Sequence, residues 1–68
     1  MKVVSGRELA KALENKGWVL LRVIGSHHIY GREDSDVRLS IPVHQNHPLK
    51  VGLVHHLIKM AGLSEDDL

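Results

Sequence analysis

The spacing of hydrophobic residues changes twice along the chain, from a helical repeat to alternation and back again. In residues 5–16, apolar residues recur at intervals of three and four, which is typical of one face of an amphipathic helix. These residues are Leu9, Ala12 and Leu13. Ser5, followed by Glu8 three positions later, has the pattern of a capping box, and Gly17 stands where a left-handed C-terminal residue is expected. The pattern predicts a first helix over these residues.

Three runs in the middle of the chain are typical of strands, namely residues 18–24, 26–31 and 37–43. The first run is almost entirely aliphatic, so we expect one buried face and a second face that is only weakly polar. The polar stretch 32–36 predicts a five-residue hairpin loop between the second and third strands. Pro42 cannot donate a backbone hydrogen bond, which predicts that the third strand lies at a sheet edge.

A second helical repeat begins at Lys50 or Val51 and ends at Ala61, and an acidic tail or short extra turn follows at residues 64–68. The predicted order is therefore α-β-β-β-α. This order indicates an α+β fold with a three-stranded antiparallel sheet and both helices on one face. At 68 residues, the chain has the size of one small domain, residues 1–68.

The burial of Tyr30 predicts the register between the second and third strands. Apart from Ile29, Tyr30 is the only bulky apolar residue of its strand, and its ring is buried if it pairs with Leu39. That register also pairs Ile29 with Ser40, and His27 with Pro42. A slip by one residue would bury His27 instead.

In this register, the two adjacent histidines point to opposite faces, because neighbouring side chains of a strand alternate. We expect His27 on the open face, with Ser40 and His44 nearby. We expect His28 to lie toward the helix layer or the margin of the sheet. The turn before them, Gly25-Ser26, gives the backbone conformational freedom at glycine and a local hydrogen-bonding group at serine.

Composition and charge limit the classes of function. The chain has no cysteine, which favours a reducing cytoplasm, and no apolar run near the roughly 20 residues that span a bilayer. The net charge is +1, but acidic residues are concentrated in the C-terminal tail. The rest of the chain is therefore clearly basic, which suits a polyanionic partner. One Trp, one Tyr and no Phe make stacking on several single-stranded bases a poor explanation of binding.

An exposed histidine on a basic face suits ribonuclease chemistry. Cleavage by transesterification needs a base to take the proton of a ribose 2′-hydroxyl, and positive charge or hydrogen-bond donors around the phosphate. His27 is able to supply the first, with Arg22, Lys50 and backbone N–H groups supplying the second. Taken alone, a strand histidine is more often a surface or structural residue than a catalyst, by about four to one.

Two other site chemistries are weaker. Six histidines make a metal site worth considering, but adjacent histidines diverge in regular structure, and the chain has neither cysteine nor an HExxH motif. We therefore expect no metal and no cofactor. Ser26 has a neighbouring histidine but no evident carboxylate to orient it, which disfavours nucleophilic catalysis.

The chain resembles the HicA (YcfA-like) toxins along nearly its whole length. The resemblance is carried by the segments 5–9 with Leu13, 17–18, 25–30, 41–44, Gly52 and 58–63. It implies a fold like that of double-stranded-RNA-binding domains and a metal-independent mRNA interferase, an endoribonuclease that blocks translation. The family's catalytic histidine directly follows Gly-Ser, which is His27 here, and we expect it to act as a general base or acid. In many members Pro-Lys-Gly-Thr leads into the second helix, whereas this chain has Lys50-Val51-Gly52-Leu53.

The resemblance also implies a HicB-type antitoxin that covers the active face. We expect the toxin to be monomeric alone and hetero-oligomeric with the antitoxin. The residues expected to contact RNA are Gly25, Ser26, Arg22, His28, His44 and Lys50. The alternatives are a non-catalytic RNA-binding module of the same fold and a histidine-rich metal-binding or scaffold protein.

Overall fold

The first helix, α1, begins at the capping box that the sequence predicts. In the computed structural model, which describes residues 3–68, α1 spans Gly6–Asn15. The Glu8 N–H donates to Ser5 Oγ at 3.2 Å, and the Ser5 N–H donates to Glu8 Oε1 at 3.0 Å. Gly17, beyond the end of the helix, has a φ of +93°, as expected for a left-handed C-terminal residue. Met1 and Lys2 lie outside the described residues.

Three strands follow in the order β1-β2-β3: β1 spans Val19–Ile24, β2 spans His27–Arg32 and β3 spans Ser35–Pro42. Both pairings are antiparallel. Tyr30 lies opposite Leu39, with Ile29 opposite Ser40 and His27 opposite Pro42. The predicted register is therefore confirmed, as is the prediction that β3 is an edge strand.

Both helices pack on the face of the sheet that carries Tyr30. The second helix, α2, spans Val51–Ala61 and ends at Gly62, which has a φ of +75°. One core cluster joins the helices to the sheet, and its fully buried side chains are Val4, Leu9, Leu13, Tyr30, Leu39, Ile41 and Val54. A short 3-10 turn, Glu65–Asp67, follows α2. The predicted α+β architecture is confirmed.

The predicted loop between β2 and β3 was too long. Arg32 and Ser35 pair with each other, so the turn consists of only Glu33 and Asp34. Arg32 is held in the strand by contacts distant in sequence, because its guanidinium donates to the Lys16 carbonyl and lies 4.5 Å from the centroid of the Trp18 ring. These contacts extend the hairpin into a stretch that looks like a loop.

The prediction that β1 has one buried face was wrong. Every residue of Val19–Ile24 is exposed, and its five aliphatic side chains retain 40–57% of their accessible surface. Trp18, just before the strand, is buried instead, and its indole N–H donates to the Ala61 carbonyl at 3.3 Å. β1 therefore adds an apolar edge to the sheet but almost nothing to the core. No helix within residues 3–68 has the length and apolar character needed to cross a membrane.

Candidate nucleolytic site on the open sheet face

The site begins at the turn between β1 and β2, where Gly25 and Ser26 reverse the chain. Gly25 has a φ of +59°, and no heavy atom lies within 4 Å of the place where a Cβ would stand. Glycine is therefore favoured here by backbone conformation and not by lack of space. The Val43 N–H donates to the Ser26 carbonyl at 2.7 Å, which ties the segment after β3 to this turn. The turn fixes where His27 enters β2.

His27 lies on the open face and is exposed, as predicted. Its ring nitrogen Nδ1 lies 3.3 Å from the Oγ of Ser40, on the neighbouring strand. When Nδ1 carries the ring hydrogen and donates it to Ser40, Nε2 keeps a free lone pair on the opposite side of the ring. This arrangement orients an imidazole to accept a proton from a molecule on the open face.

Two arginines share this face with His27. Arg22 pairs with Ile29 of β2, so its side chain emerges on the open side, as does that of Arg38, two residues before Ser40 on β3. Both are exposed, and Arg22 takes part in no salt bridge among the described residues. The face that carries the His27 imidazole therefore also carries two positive charges.

Gly31 allows Arg38 to lie across the sheet. A Cβ on Gly31 would stand 2.9 Å from Arg38 Nη1 and 2.8 Å from Leu21 Cδ1. The Arg38 guanidinium also donates to the carbonyls of Ser35 and Val37, at 3.2 and 3.1 Å. The sequence analysis did not select Arg38 as a site residue, although the alternation of β3 already placed it on the same face as Ser40.

His28 lies on the other side of the sheet, facing the helix layer, as predicted. It is half-buried and lines a cavity of about 590 Å³ beside α1, together with Arg7, Lys11, Glu14 and Leu20, among others. The Tyr30 hydroxyl, which also lines this cavity, donates to Glu14 Oε2 at 2.6 Å, and burial together with this bond raises the pKa of Tyr30. His27 and His28 therefore do not act on one substrate atom. An RNA contact by His28 stays a prediction.

His44 and Lys50 lie outside the strands. His44 follows Val43, so the chain reaches it beside the Ser26 turn, and its exposed ring packs edge-on against His47 with centroids 5.1 Å apart. Lys50 is the exposed N-cap residue of α2 and makes no side-chain capping bond. The N–H groups of the first turn of α2 lack a side-chain cap from Lys50. These groups and the positive charge of Lys50 both favour an anion at this end of the helix. The roles of both residues in RNA binding stay predictions.

Histidines and acidic residues do not converge on a common point in the described part of the chain. Among residues 3–68, no group of three or more His, Cys, Asp or Glu side chains has the geometry to hold a metal ion. The adjacent pair at His27 and His28 diverges across the sheet, as the strand alternation requires. The groups described on the open face include the imidazole of His27, the guanidinium groups of Arg22 and Arg38 and the hydroxyl of Ser40.

The chain is similar to a known protein family over most of its length. A family model described as the HicA toxin of bacterial toxin–antitoxin systems matches residues 6–63, which leaves five residues unmatched at each end. The match includes both helices, all three strands and the Gly25-Ser26-His27 step. A search of curated proteins gives no significant match.

Proposed function

The chain belongs to the HicA toxin family of bacterial toxin–antitoxin systems, and on this basis we propose that it is an endoribonuclease that cleaves mRNA and blocks translation. The observation that carries the proposal is the exposed imidazole of His27, which contacts Ser40 through Nδ1 on an open face. The resemblance to the family assigns the catalytic histidine to this same residue. Two independent arguments therefore favour His27: the strand register predicts that it lies on the open face, and the family resemblance implies that it is the catalytic histidine.

In the proposed reaction, His27 acts as the general base. Its Nε2 takes the proton of a ribose 2′-hydroxyl, and the 2′ oxygen forms a bond to the adjacent phosphorus. The bond from phosphorus to the 5′ oxygen breaks, and the 5′ oxygen takes a proton from water. The products are a 2′,3′-cyclic phosphate and a 5′-hydroxyl end. Histidine suits this role because it takes up and releases protons near neutral pH.

The negative charge of the phosphate needs a positive partner during this step. Of the two arginines described on this face, Arg22 lies diagonally across the strand pair from His27, whereas the Arg38 guanidinium lies over Gly31, farther along the sheet. Diagonal neighbours in a sheet are about 7–8 Å apart, a distance that a long arginine side chain spans. Ser40 acts as a positioning residue, since it holds the ring nitrogen that does not react.

The substrate is proposed to be a structured segment of RNA. The resemblance to the family implies a fold like that of double-stranded-RNA-binding domains, which recognise RNA by shape and by phosphate contacts. Neither the one Trp nor the one Tyr of the chain is available for stacking, because both are buried. We further propose a cytoplasmic location, where mRNA is translated, and a HicB-type antitoxin that covers the open face.

The proposal is tested with purified protein and an end-labelled transcript. We expect cleavage in the presence of a chelator, ends bearing a cyclic phosphate, and a loss of about 10²–10⁴-fold in rate for His27→Ala. Ser40→Ala should lower the rate less, because it removes only the orientation of the ring. Equal cleavage by His27→Ala and wild type would contradict the assignment.

The alternative function makes a different prediction in the same experiment. For a non-catalytic RNA-binding module, neither wild type nor His27→Ala cleaves the transcript, and both bind it with similar affinity. A filter-binding assay on the same transcript separates the two functions.

A further inference from the structure

Within residues 3–68, the outer edge of β1 has no strand partner. The sheet order places β1 at one end, hydrogen-bonded only to β2. Its outward backbone N–H and C=O groups therefore have no ladder partner within residues 3–68. A strand edge of this kind pairs readily with another chain, and proteins usually protect it with proline or charge. β3, at the other edge, ends in Pro42, whereas β1 contains no proline and a single charge, Arg22.

The side chains of β1 are apolar on both sides of the sheet. Leu20 and Val23 pair with inward-facing residues of β2 and emerge on the helix side, whereas Val19 and Ile24 emerge on the open side. Five of the six residues of β1 are aliphatic and exposed, which gives this edge of the sheet an apolar patch. A patch of this kind marks an interaction surface.

A cavity adjoins β1 on each side of the sheet. On the helix side, Leu20 lines the cavity of about 590 Å³ that also contains His28. On the open side, Val19 and Leu21 line a cavity of about 370 Å³ that also contains Arg38. When a peptide adds to a sheet edge, backbone hydrogen bonds supply affinity and cavities for alternate side chains supply specificity. Both features are present here along the same six residues.

We propose that an extended segment of the antitoxin adds to β1 as a fourth strand. The inference rests on the proposed function in one respect, namely that the partner is an antitoxin. The open backbone edge selects a polypeptide in extended form over RNA, which offers no strand ladder. The side chains of β1 select a segment with apolar residues facing Leu20 and Val23 and an acidic residue facing Arg22.

The charge of Arg22 argues against a second copy of this chain as the occupant. Antiparallel pairing of β1 with itself across the centre of the strand places Arg22 directly opposite, or next to, its own copy. Like charges facing one another across strands are destabilising. An acidic residue on a different chain converts this repulsion into an ion pair.

Strand addition also explains how an antitoxin silences the site. Ile24 of β1 pairs with His27, so the added strand lies two strands away from the imidazole, or about 10 Å at the usual strand spacing. Its side chains on the open face would cover Arg22 and reach toward His27. RNA would then be excluded from the open face without any change in the toxin fold.

Hydrogen exchange measured by mass spectrometry tests the docking site. The toxin is compared alone and in complex with a HicB-type antitoxin that binds it. We expect the outward amides of residues 19–24 to exchange at least tenfold more slowly in the complex. Unchanged exchange in β1, with protection confined to α2 or to the C-terminal turn, would overturn the proposal.

A matched pair of variants tests the same edge by affinity. Val23 and Val51 are each 52% exposed, and only Val23 lies on β1. We expect Val23→Lys to weaken antitoxin binding at least tenfold in calorimetry, Val51→Lys to leave it unchanged, and both variants to cleave RNA as wild type does. A loss of affinity in Val51→Lys alone would contradict strand addition.

Two further outcomes are informative. If sedimentation shows that the free toxin is a dimer that Val23→Lys dissociates, the edge pairs with a second copy and the proposal is wrong. If the β1 amides of wild type exchange more slowly in the complex but wild type cleaves no RNA, the proposed function is wrong and the docking site is supported.

Discussion

The two faces of this three-stranded sheet have opposite properties, although the same strands build both. On the helix side, Tyr30, Leu39 and Ile41 are 0–1% exposed and belong to one core cluster. On the open side, one residue out of phase, His27 and Ser40 are exposed and contact each other at 3.3 Å. In this small domain, stability is therefore concentrated on one face, and the other face is free to carry chemistry.

This comparison predicts that mutations on the helix side act on folding and mutations on the open side act on function. β1 has the properties of neither face, because its mainly apolar side chains are exposed on both sides of the sheet. Its composition resembles that of a core strand, yet the helices do not cover it. The exposure of this apolar strand is the basis of the proposed docking surface for a partner.

The largest effect on stability is expected in the core. Leu57 of α2 is 4% exposed, and Leu57→Ala should lower the free energy of unfolding by about 2–5 kcal/mol through the lost burial and the remaining cavity. Urea denaturation measures this change. Met60→Ala, at a neighbouring exposed position of the same helix, is the control and should have a much smaller effect.

Close packing at the start of α1 should give the next largest effect. A Cβ on Gly6 would stand 1.9 Å from the carbonyl oxygen of Pro42, which is backbone and cannot move aside cheaply. Gly6→Ala should therefore destabilise the fold by about 1–3 kcal/mol. Gly52, in the first turn of α2, has no heavy atom within 4 Å of the point that a Cβ would occupy, and Gly52→Ala should instead stabilise by about 0.4–1 kcal/mol. Thermal melts of the two variants compare these effects, and equal effects would show that α1 does not pack closely on the end of β3.

Tyr30 tests the helix side through a single hydrogen bond. Tyr30→Phe keeps the ring but removes the bond to Glu14, at an expected cost of about 1–2 kcal/mol. Because burial and Glu14 raise the pKa of Tyr30 above its ordinary value of 10.0, the folded state favours the neutral hydroxyl. Wild type should therefore lose stability as the pH rises above 10.0, and Tyr30→Phe should lose less. Thermal melts across this range check both statements.

The smallest effect is expected at the C-terminal turn. Asp67 accepts a hydrogen bond from the Ser64 N–H at 2.9 Å and pairs with Lys16 at 3.2 Å, and these contacts lower its pKa below 3.8. Its contribution to stability is therefore present above that pH and is lost as the pH falls further. Asp67→Asn should flatten the acid limb of the stability curve slightly. Asp66→Asn is the control, and an equal response would contradict the assignment.

The features that local sequence determines were predictable. The capping box at Ser5 and the helix end at Gly62 depend on residues within one turn, and both are present. The register was predictable for a different reason, because Tyr30 needed an apolar neighbour and its alignment with Leu39 of β3 provided it. The position of His27 followed directly from that register.

The features that depend on distant contacts were not predictable. The hairpin turn is short because Arg32 reaches the Trp18 ring and the Lys16 carbonyl, and neither contact is visible in the local pattern of residues. The exposure of β1 depends on what the helices fail to cover, so an aliphatic run alone is misleading. To predict that Arg38 crosses over Gly31, both the register and the true length of the turn have to be known.

The most direct test of this account combines function and stability in one set of variants. Wild type, His27→Ala and His28→Ala are each induced in cells, with growth and transcript cleavage recorded, and each purified protein is melted. We predict that wild type and His28→Ala arrest growth and cut mRNA. His27→Ala should do neither while its stability stays within about 0.5 kcal/mol of wild type. Growth arrest by His27→Ala would contradict a catalytic role for His27. Unfolding of this variant would contradict its position outside the core.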